Sequence, residues 1–318
     1  MISLTLKLES GISLPGEGPL QVAASVFVPK APKPIALVCL AGGNMNRQYF
    51  DLRTNGDHSF SFAHAMSAKG FIVVTLDYLG LGDSSKPADG HSLTPQLLTQ
   101  ANVNATREIL ARLREGRLAP AVAALPQLRS IGVGHSMGAM MTTLLQAAAH
   151  PHAALALLGF ATRGLPTFVP KDVLALPQEE QRRRLPEFAR RMFPQPYPVI
   201  KSSGNGAELY GSAKADPKGV AALKGATDCL LPVPAFMSLL PGNVAPEAAQ
   251  IDVPVYLGVG ERDMTGKPEE IPAAFSKSPK VMLEIFPETG HSHFLFPARQ
   301  QLFKGLGEWA SGLEAVVL

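Results

Sequence analysis

Hydrophobic and polar positions change their rhythm along this chain. Residues 2–9 and 20–28 alternate apolar with polar side chains and are bounded by proline and glycine. A period of two belongs to strands with one buried face, so these segments are predicted to form an antiparallel pair at a sheet edge. From residue 35 onward the pattern becomes short runs that are apolar almost throughout, at 35–40, 71–76, 129–133, 153–160, 253–259 and 280–286. Runs of that length are expected of strands covered on both faces of a parallel sheet. Helix-length segments lie between and after them, at 58–69, 95–115, 137–149, 268–276 and 298–313. Within 95–115, Leu97, Leu98, Ala101, Ala105, Ile109, Leu110 and Leu113 recur at helical spacing. Strand and helix in succession, joined by right-handed crossovers, predict an α/β fold with a doubly wound, mostly parallel, eight-stranded sheet.

One stretch breaks that alternation. From 163 to 248 no buried strand is evident, and prolines recur from Pro166 to Pro246. Short helices are expected around 171–176, 178–192, 206–214 and 217–225. Inserted between the strands 153–160 and 253–259, residues 163–248 are expected to form a helical cap over one end of the sheet. Residues 1–162 and 249–318 then make up the core domain. The segment 178–192 carries Arg182, Arg183, Arg184, Arg190 and Arg191, which suits a solvated helix face better than recruitment of an acidic substrate.

Composition narrows the function classes. A chain of 318 residues can bury a core without disulfides or a structural metal, and 46% hydrophobic with 17% charged residues is globular. A net charge of +3 builds no field for nucleic acid. Cys39 and Cys229 are far apart, Cys39 within an apolar run that suits a buried thiol, and there is no CxxC pair. The N-terminus lacks the basic start and continuous apolar stretch of a signal peptide, and no segment approaches the length of a membrane span. The expectation is a cytoplasmic protein.

The chemistry centres on Gly134-His135-Ser136-Met137-Gly138, which follows an apolar strand and opens a helix. A serine hydroxyl is a poor nucleophile unless exposed, aligned and deprotonated by a neighbour. A sharp strand-to-helix turn exposes it, and leaves no room for side chains two positions away on either side, hence Gly134 and Gly138. A base and an acid must come from later strand ends. The run at 253–259 is followed by Gly260-Glu261-Arg262-Asp263, and the run at 280–286 by Pro287-Glu288-Thr289-Gly290-His291-Ser292-His293. Glu261 and Asp263 are candidate acids, and His291 and His293 candidate bases. Asp252 precedes its strand, at the wrong end of the sheet. His135 is expected to leave the turn on the opposite side, in a packing or supporting role.

The elbow, the late turns, Ala41-Gly42-Gly43-Asn44 and Asp77-Tyr78-Leu79-Gly80-Leu81-Gly82-Asp83-Ser84 together resemble the α/β-hydrolase superfamily. The resemblance spans nearly the whole chain outside residues 163–248. It implies the α/β-hydrolase fold, with the acid after the seventh strand and the histidine after the eighth, here Asp263 and His291. It also implies an oxyanion hole made by the backbone N–H of Met137 and a second donor from the loop 41–45, Gly43 or Asn44. Ala41 stands where the commoner pattern has His before the glycine. The stretch 77–84 lacks the arrangement of a phosphate-binding loop, and Asp77 is expected to fix its turn.

The implied activity is hydrolysis of an acyl bond through an acyl-enzyme, with Ser136 as nucleophile, His291 as base and Asp263 as its orienting acid. Such a reaction requires no metal or organic cofactor. A serine nucleophile disfavours dehalogenase and epoxide hydrolase chemistry, which use aspartate. The expected partner is a small-molecule substrate, an apolar carboxylic ester. A thioester, a carbon–carbon bond, or a non-catalytic ligand-binding module on the same fold are the alternatives. Phe168, Met192, Phe193, Tyr197, Phe236 and Met237 either wall an apolar pocket or form the cap's own core.

Overall fold

The computed structural model describes residues 1–54, 56–200 and 213–313. Eight strands form one sheet in the order β1-β2-β4-β3-β5-β6-β7-β8. β1 (Ile2–Glu9) and β2 (Gln21–Val28) pair antiparallel at one edge, with Ile2 opposite Val28 and Glu9 opposite Gln21. β2 also meets β4 (Ile72–Leu76) antiparallel, and every later pairing is parallel. β3 (Ile35–Leu40), β5 (Arg129–His135), β6 (Ala154–Leu158) and β7 (Val255–Gly260) follow the apolar runs closely.

The alternation within these runs feeds two cores. Val38 and Leu40 face one side of β3, toward Leu98 and Ile109 of α2 (Pro95–Arg114) and Met141 and Leu145 of α3 (Met137–Ala149). Leu37 and Cys39 face the other, with Phe62 and Met66 of α1 (Phe62–Ala68) and Leu302 and Leu306 of the final helix Arg299–Gly312. Each aliphatic side chain fully withdrawn from water contributes about 1.5–3 kcal/mol, so both faces must be covered. β8 (Val281–Phe286) departs from its predicted coverage. As the second edge strand it is only half buried, and Met282 is 37% exposed.

Between β6 and β7 the chain forms short helices. The segment 178–192 is two helices, Gln178–Arg183 and Leu185–Met192, because Pro186 has no N–H for the carbonyl of Arg182. Lys171–Leu174 and Pro217–Ala226 match expected helices, while the expected helix 206–214 lies largely outside the described residues. Pro232–Leu239 is a helix that proline counting misses. Pro232 and Pro234 occupy its first turn, where backbone N–H groups have no intrahelical acceptor in any case. Phe236 packs there against Phe188, ring centroids 6.0 Å apart. Among the described residues no helix is long and apolar enough to cross a membrane.

Candidate active site

Ser136 sits between β5 and α3 at φ 57°, ψ −123°, a positive φ that a non-glycine residue adopts only under constraint. Its N–H donates to Leu158 O at 2.8 Å, which ties the turn to β6. A Cβ on Gly138 would overlap the carbonyl oxygen of Leu40, and one on Gly134 would overlap the backbone of Ala139. The two glycines therefore allow the turn to close against β3 and α3.

Two later loops deliver the other groups. After β7, Glu261 N donates to Phe286 O and Arg262 N to Thr289 O, at 2.8 and 2.9 Å, so the loops following β7 and β8 are laced together. This brings His291 Nε2 to 2.8 Å from Ser136 Oγ and His291 Nδ1 to 2.7 Å from Asp263 Oδ1. A carboxylate only accepts, so Nδ1 carries the proton and Nε2 is free to accept from the serine hydroxyl. Asp263 Oδ1 also accepts from Met264 N at 2.7 Å, and Oδ2 accepts from His293 Nε2 at 2.9 Å.

Electrostatics follow from this geometry. Asp263 is fully buried, which by itself favours the neutral acid, yet His291 and the donors on both oxygens outweigh burial and hold it well below the usual carboxylate range. Burial pulls His291 down, but the charge of Asp263 and its hydrogen bond outweigh that and raise the imidazole above its ordinary value. His135 is lowered, first by burial and then by the neighbouring His291 and His293, and stays neutral. Its Nε2 donates to the carbonyl of His291 at 2.8 Å, while its ring stacks on Tyr49 at 4.6 Å between centroids. It supports the backbone of the His291 loop rather than reaching Ser136.

The rival candidates lie elsewhere. Glu261 accepts from Glu288 N at 2.8 Å and shows no bond to either histidine. Asp252 is 3.8 Å from His150 and exposed. His293, the rival for the base, read from sequence as starting the last helix or lining the pocket rim, opens the 3-10 turn just before that helix and is 1% exposed, on the far oxygen of Asp263. Gly159, which sequence reasoning did not single out, follows β6 at φ 58°, and a Cβ there would stand 3.1 Å from Asp263 Oδ2. A glycine immediately after a buried strand was the available signal.

Around the serine, Met137 opens α3, and its N–H, like those of any first helical turn, has no intrahelical acceptor. The loop 41–45 passes beside it. A Cβ on Gly42 would lie 3.3 Å from Ser136 Cβ, and one on Gly43 would lie 3.8 Å from Met137 Sδ. Gly43 and Asn44 line a cavity of about 330 Å³ that reaches Ser136 and His291, walled on its other sides by Tyr49, Ile200, Leu223 and Thr227. A second cavity of about 60 Å³ opens from the same serine, toward Met140, Phe160, Leu165, Ser238 and Met264. None of the six large residues expected as cap walls or cap core lines either cavity. Phe236 and Met237 are buried in packing, and Phe168 is exposed.

Two other sequence features are resolved in structural terms. Asp77 is fully buried and accepts from the backbone N–H groups of Arg47 and Asp83, at 2.6 and 3.0 Å, and from the Arg47 guanidinium. It fixes the turn at 77–84. The five arginines of 182–191 each meet a carboxylate: Glu247, Glu180, Glu187, Asp89 and Asp172 in turn. Cys39 and Cys229 are free and buried.

No curated protein matches the sequence. Among solved structures the chain is similar to a thermophilic esterase from Thermogutta terrifontis, at 17% identity over 97% of this chain and 98% of that one, with a TM-score of 0.59. It is similar to a monoacylglycerol lipase from Paleococcus ferrophilus, at 18% identity over 91% and 97%, TM-score 0.60. A proline iminopeptidase from Mycobacterium smegmatis gives 16% over 99% and 100%, TM-score 0.59. At these identities the likeness shows a shared fold. A family model described as "Alpha/beta hydrolase family" matches residues 37–300, and with that span covered the chain belongs to the alpha/beta hydrolase family.

Proposed function

We propose that the protein is a serine hydrolase that cleaves a carboxylic ester through an acyl-enzyme on Ser136. One observation carries this: the serine hydroxyl, the His291 imidazole and the Asp263 carboxylate form an unbroken hydrogen-bonded line, with links of 2.8 and 2.7 Å, at the junction of two cavities. His291 Nε2 takes the hydroxyl proton as Ser136 Oγ bonds to the substrate carbonyl carbon. The resulting oxyanion is held by the N–H of Met137 and a donor from Gly43 or Asn44. Collapse breaks the bond to the leaving alkoxide, which receives the proton from His291. Water then attacks the acyl-enzyme, giving its proton to the same imidazole, and the serine is restored. Asp263 holds the productive tautomer and stabilises the transient imidazolium.

Residues 163–248 act as a cap in this scheme, since Leu165, Ser238, Ile200, Leu223 and Thr227 supply walls to both cavities. The unequal volumes suit an ester with a short group on one side of the carbonyl and a larger one on the other. Substrate recognition draws on walls that mix apolar and polar groups, with Ser238, Asn243 and Thr265 in the smaller cavity and Asn44 and Thr227 in the larger.

A fluorophosphonate probe is expected to label Ser136 covalently and to leave Ser136→Ala unlabelled. A panel of p-nitrophenyl esters of graded chain length, run beside acyl-CoA thioesters, is expected to show fastest turnover of short to medium esters. Absence of labelling in the folded protein overturns the proposal. Labelling with turnover of thioesters alone reassigns the bond cleaved.

A further inference from the structure

A second cluster lies in the loop and helix that precede β4, away from Ser136. Asp51 ends a 3-10 turn, Arg47–Asp51, whose Tyr49 walls the larger cavity. His58 follows in the loop, and His64 lies in the first turn of α1. The two imidazole rings stack face to face, centroids 3.8 Å apart and 10° from parallel. Nδ1 of His58 and Nε2 of His64 are both buried, and neither has a hydrogen-bond partner among the described residues. Two such nitrogens together, facing a carboxylate, make a donor set that one common ligand can join. His64 Nε2 is 4.0 Å from Asp51 Oδ1, and one ligand atom from each of the three residues lies within 4.8 Å of the other two.

The carboxylate is also held in place. Ser61 Oγ donates to Asp51 Oδ1 at 2.6 Å, while the same oxygen accepts from His64 N and caps α1. Arg53 pairs with Oδ2. Supporting hydrogen bonds of this kind orient a metal's ligands. Neutral imidazole is the form that binds a metal ion.

We propose that Asp51, His58 and His64 form a binding site for a divalent transition-metal ion of the zinc type. Two imidazole nitrogens and one carboxylate oxygen supply three ligands, and water completes a four-coordinate shell. Ligand atoms around a tetrahedral zinc stand about 3.3 Å apart, and a ring nitrogen binds in its own plane, so closing the set tilts the two stacked rings out of parallel until both lone pairs meet at the ion. Nitrogen donors select zinc, copper or cobalt over magnesium and calcium. Asp51 and His64 are 12% and 26% exposed, which leaves a route for the ion from solvent. Bound there, the ion clips the loop to α1 and fastens the turn that presents Tyr49 to the larger cavity. It takes no part in the chemistry at Ser136.

The test uses the full chain without an affinity tag, stripped with chelator and titrated with zinc chloride by calorimetry, with thermal melts alongside. One equivalent is expected to bind and to raise the melting temperature. His58→Ala and His64→Ala are each expected to weaken binding by at least about tenfold. Arg53→Gln, which removes the competing cation, strengthens it. His150→Ala, at the exposed histidine beside Asp252, leaves it unchanged. Far-UV circular dichroism shows that each variant is folded; His58→Ala, in the loop, carries the test should His64→Ala fail to fold. The proposal is overturned by absence of a saturable site, or by equal zinc affinity in a folded His58 variant and the parent.

Discussion

His293 Nε2 lies 2.9 Å from Oδ2 of Asp263, the oxygen that His291 does not use. Asp263 is therefore gripped by two imidazoles, one leading to the serine and one leading away from it. The second grip orients the carboxylate and draws charge from it. His293→Leu is expected to lower kcat/KM on an ester by roughly tenfold to a hundredfold, the loss of one hydrogen bond to a charged group at about 1.5–3 kcal/mol. The pH profile separates this role from a purely structural one. With one donor gone, more of the charge on Asp263 falls on His291, its pKa rises further, and the acid limb moves to higher pH. His293→Gln, which retains an N–H donor, is expected to recover part of the rate and to return the limb toward its original position.

Removal of the carboxylate charge moves the same limb the other way. The proposed chemistry needs His291 neutral, and His291 is raised because the charge of Asp263 outweighs burial. Activity is thus expected to fall as pH drops through a value above that of an ordinary histidine. In Asp263→Asn the raising influence is gone and burial remains, so the inflection shifts to lower pH. The rate falls by three to four powers of ten, on the order of 10⁴-fold, because the Nδ1–H tautomer is no longer favoured. Fluorophosphonate labelling rates from pH 5 to 9 measure both effects. A profile unchanged in position counts against Asp263 as the group that tunes His291.

Backbone strain at Ser136 makes a prediction about stability. Its φ of 57° is costly for serine and open to glycine. Relief of about 1–3 kcal/mol, less about 0.4–1 kcal/mol for the added freedom of the unfolded chain, leaves a net gain of up to about 2.6 kcal/mol for Ser136→Gly. Ser136→Ala keeps the strain and is expected to match the parent. Gly138→Ala is expected to lose stability and labelling together, since its Cβ would overlap the carbonyl of Leu40. Urea denaturation compares the three. A Ser136→Gly protein no more stable than Ser136→Ala removes the case for stored strain.

What the chain reveals of itself depends on whether local pattern or distant packing decides the outcome. Apolar runs locate β3 to β7 to within a few residues because burial on both faces leaves no polar option. The elbow is legible from the fixed spacing of Gly134 and Gly138 about the serine; Gly134 is required by the local helix backbone, although the backbone that excludes a side chain at Gly138 is that of Leu40 in β3. The half-exposed β8 was not legible, since an edge position is a property of the sheet and not of Val281–Phe286. Nor was the place of His293. Gly290-His291-Ser292-His293 offers two imidazoles, and only the 3-10 turn at His293–Leu295 sends the second behind the acid. Asp51, His58 and His64 have no familiar ligand spacing; a loop and a helix start bring them together. Prolines mislead where they occupy a first helical turn, as in Pro232–Leu239.

Arg47 and Asp77 offer a test outside the proposed catalytic line. Both are buried, at 7% and 0% exposure, and the carboxylate serves two backbone N–H groups as well as the guanidinium. Asp77→Ala leaves those N–H groups without an acceptor and the guanidinium with only Asp83 and Ser25 Oγ, and is expected to cost at most about 3–5 kcal/mol. Arg47→Met should cost less, because the carboxylate keeps its two backbone donors. Replacing a buried ion pair by apolar residues is often neutral, but here Arg47→Met with Asp77→Leu is expected to remain destabilised. The N–H groups of Arg47 and Asp83 are backbone, and both remain in the double variant. Urea midpoints at constant slope measure all three variants. A double variant as stable as the parent would mean that the turn at 77–84 does not depend on its acceptor.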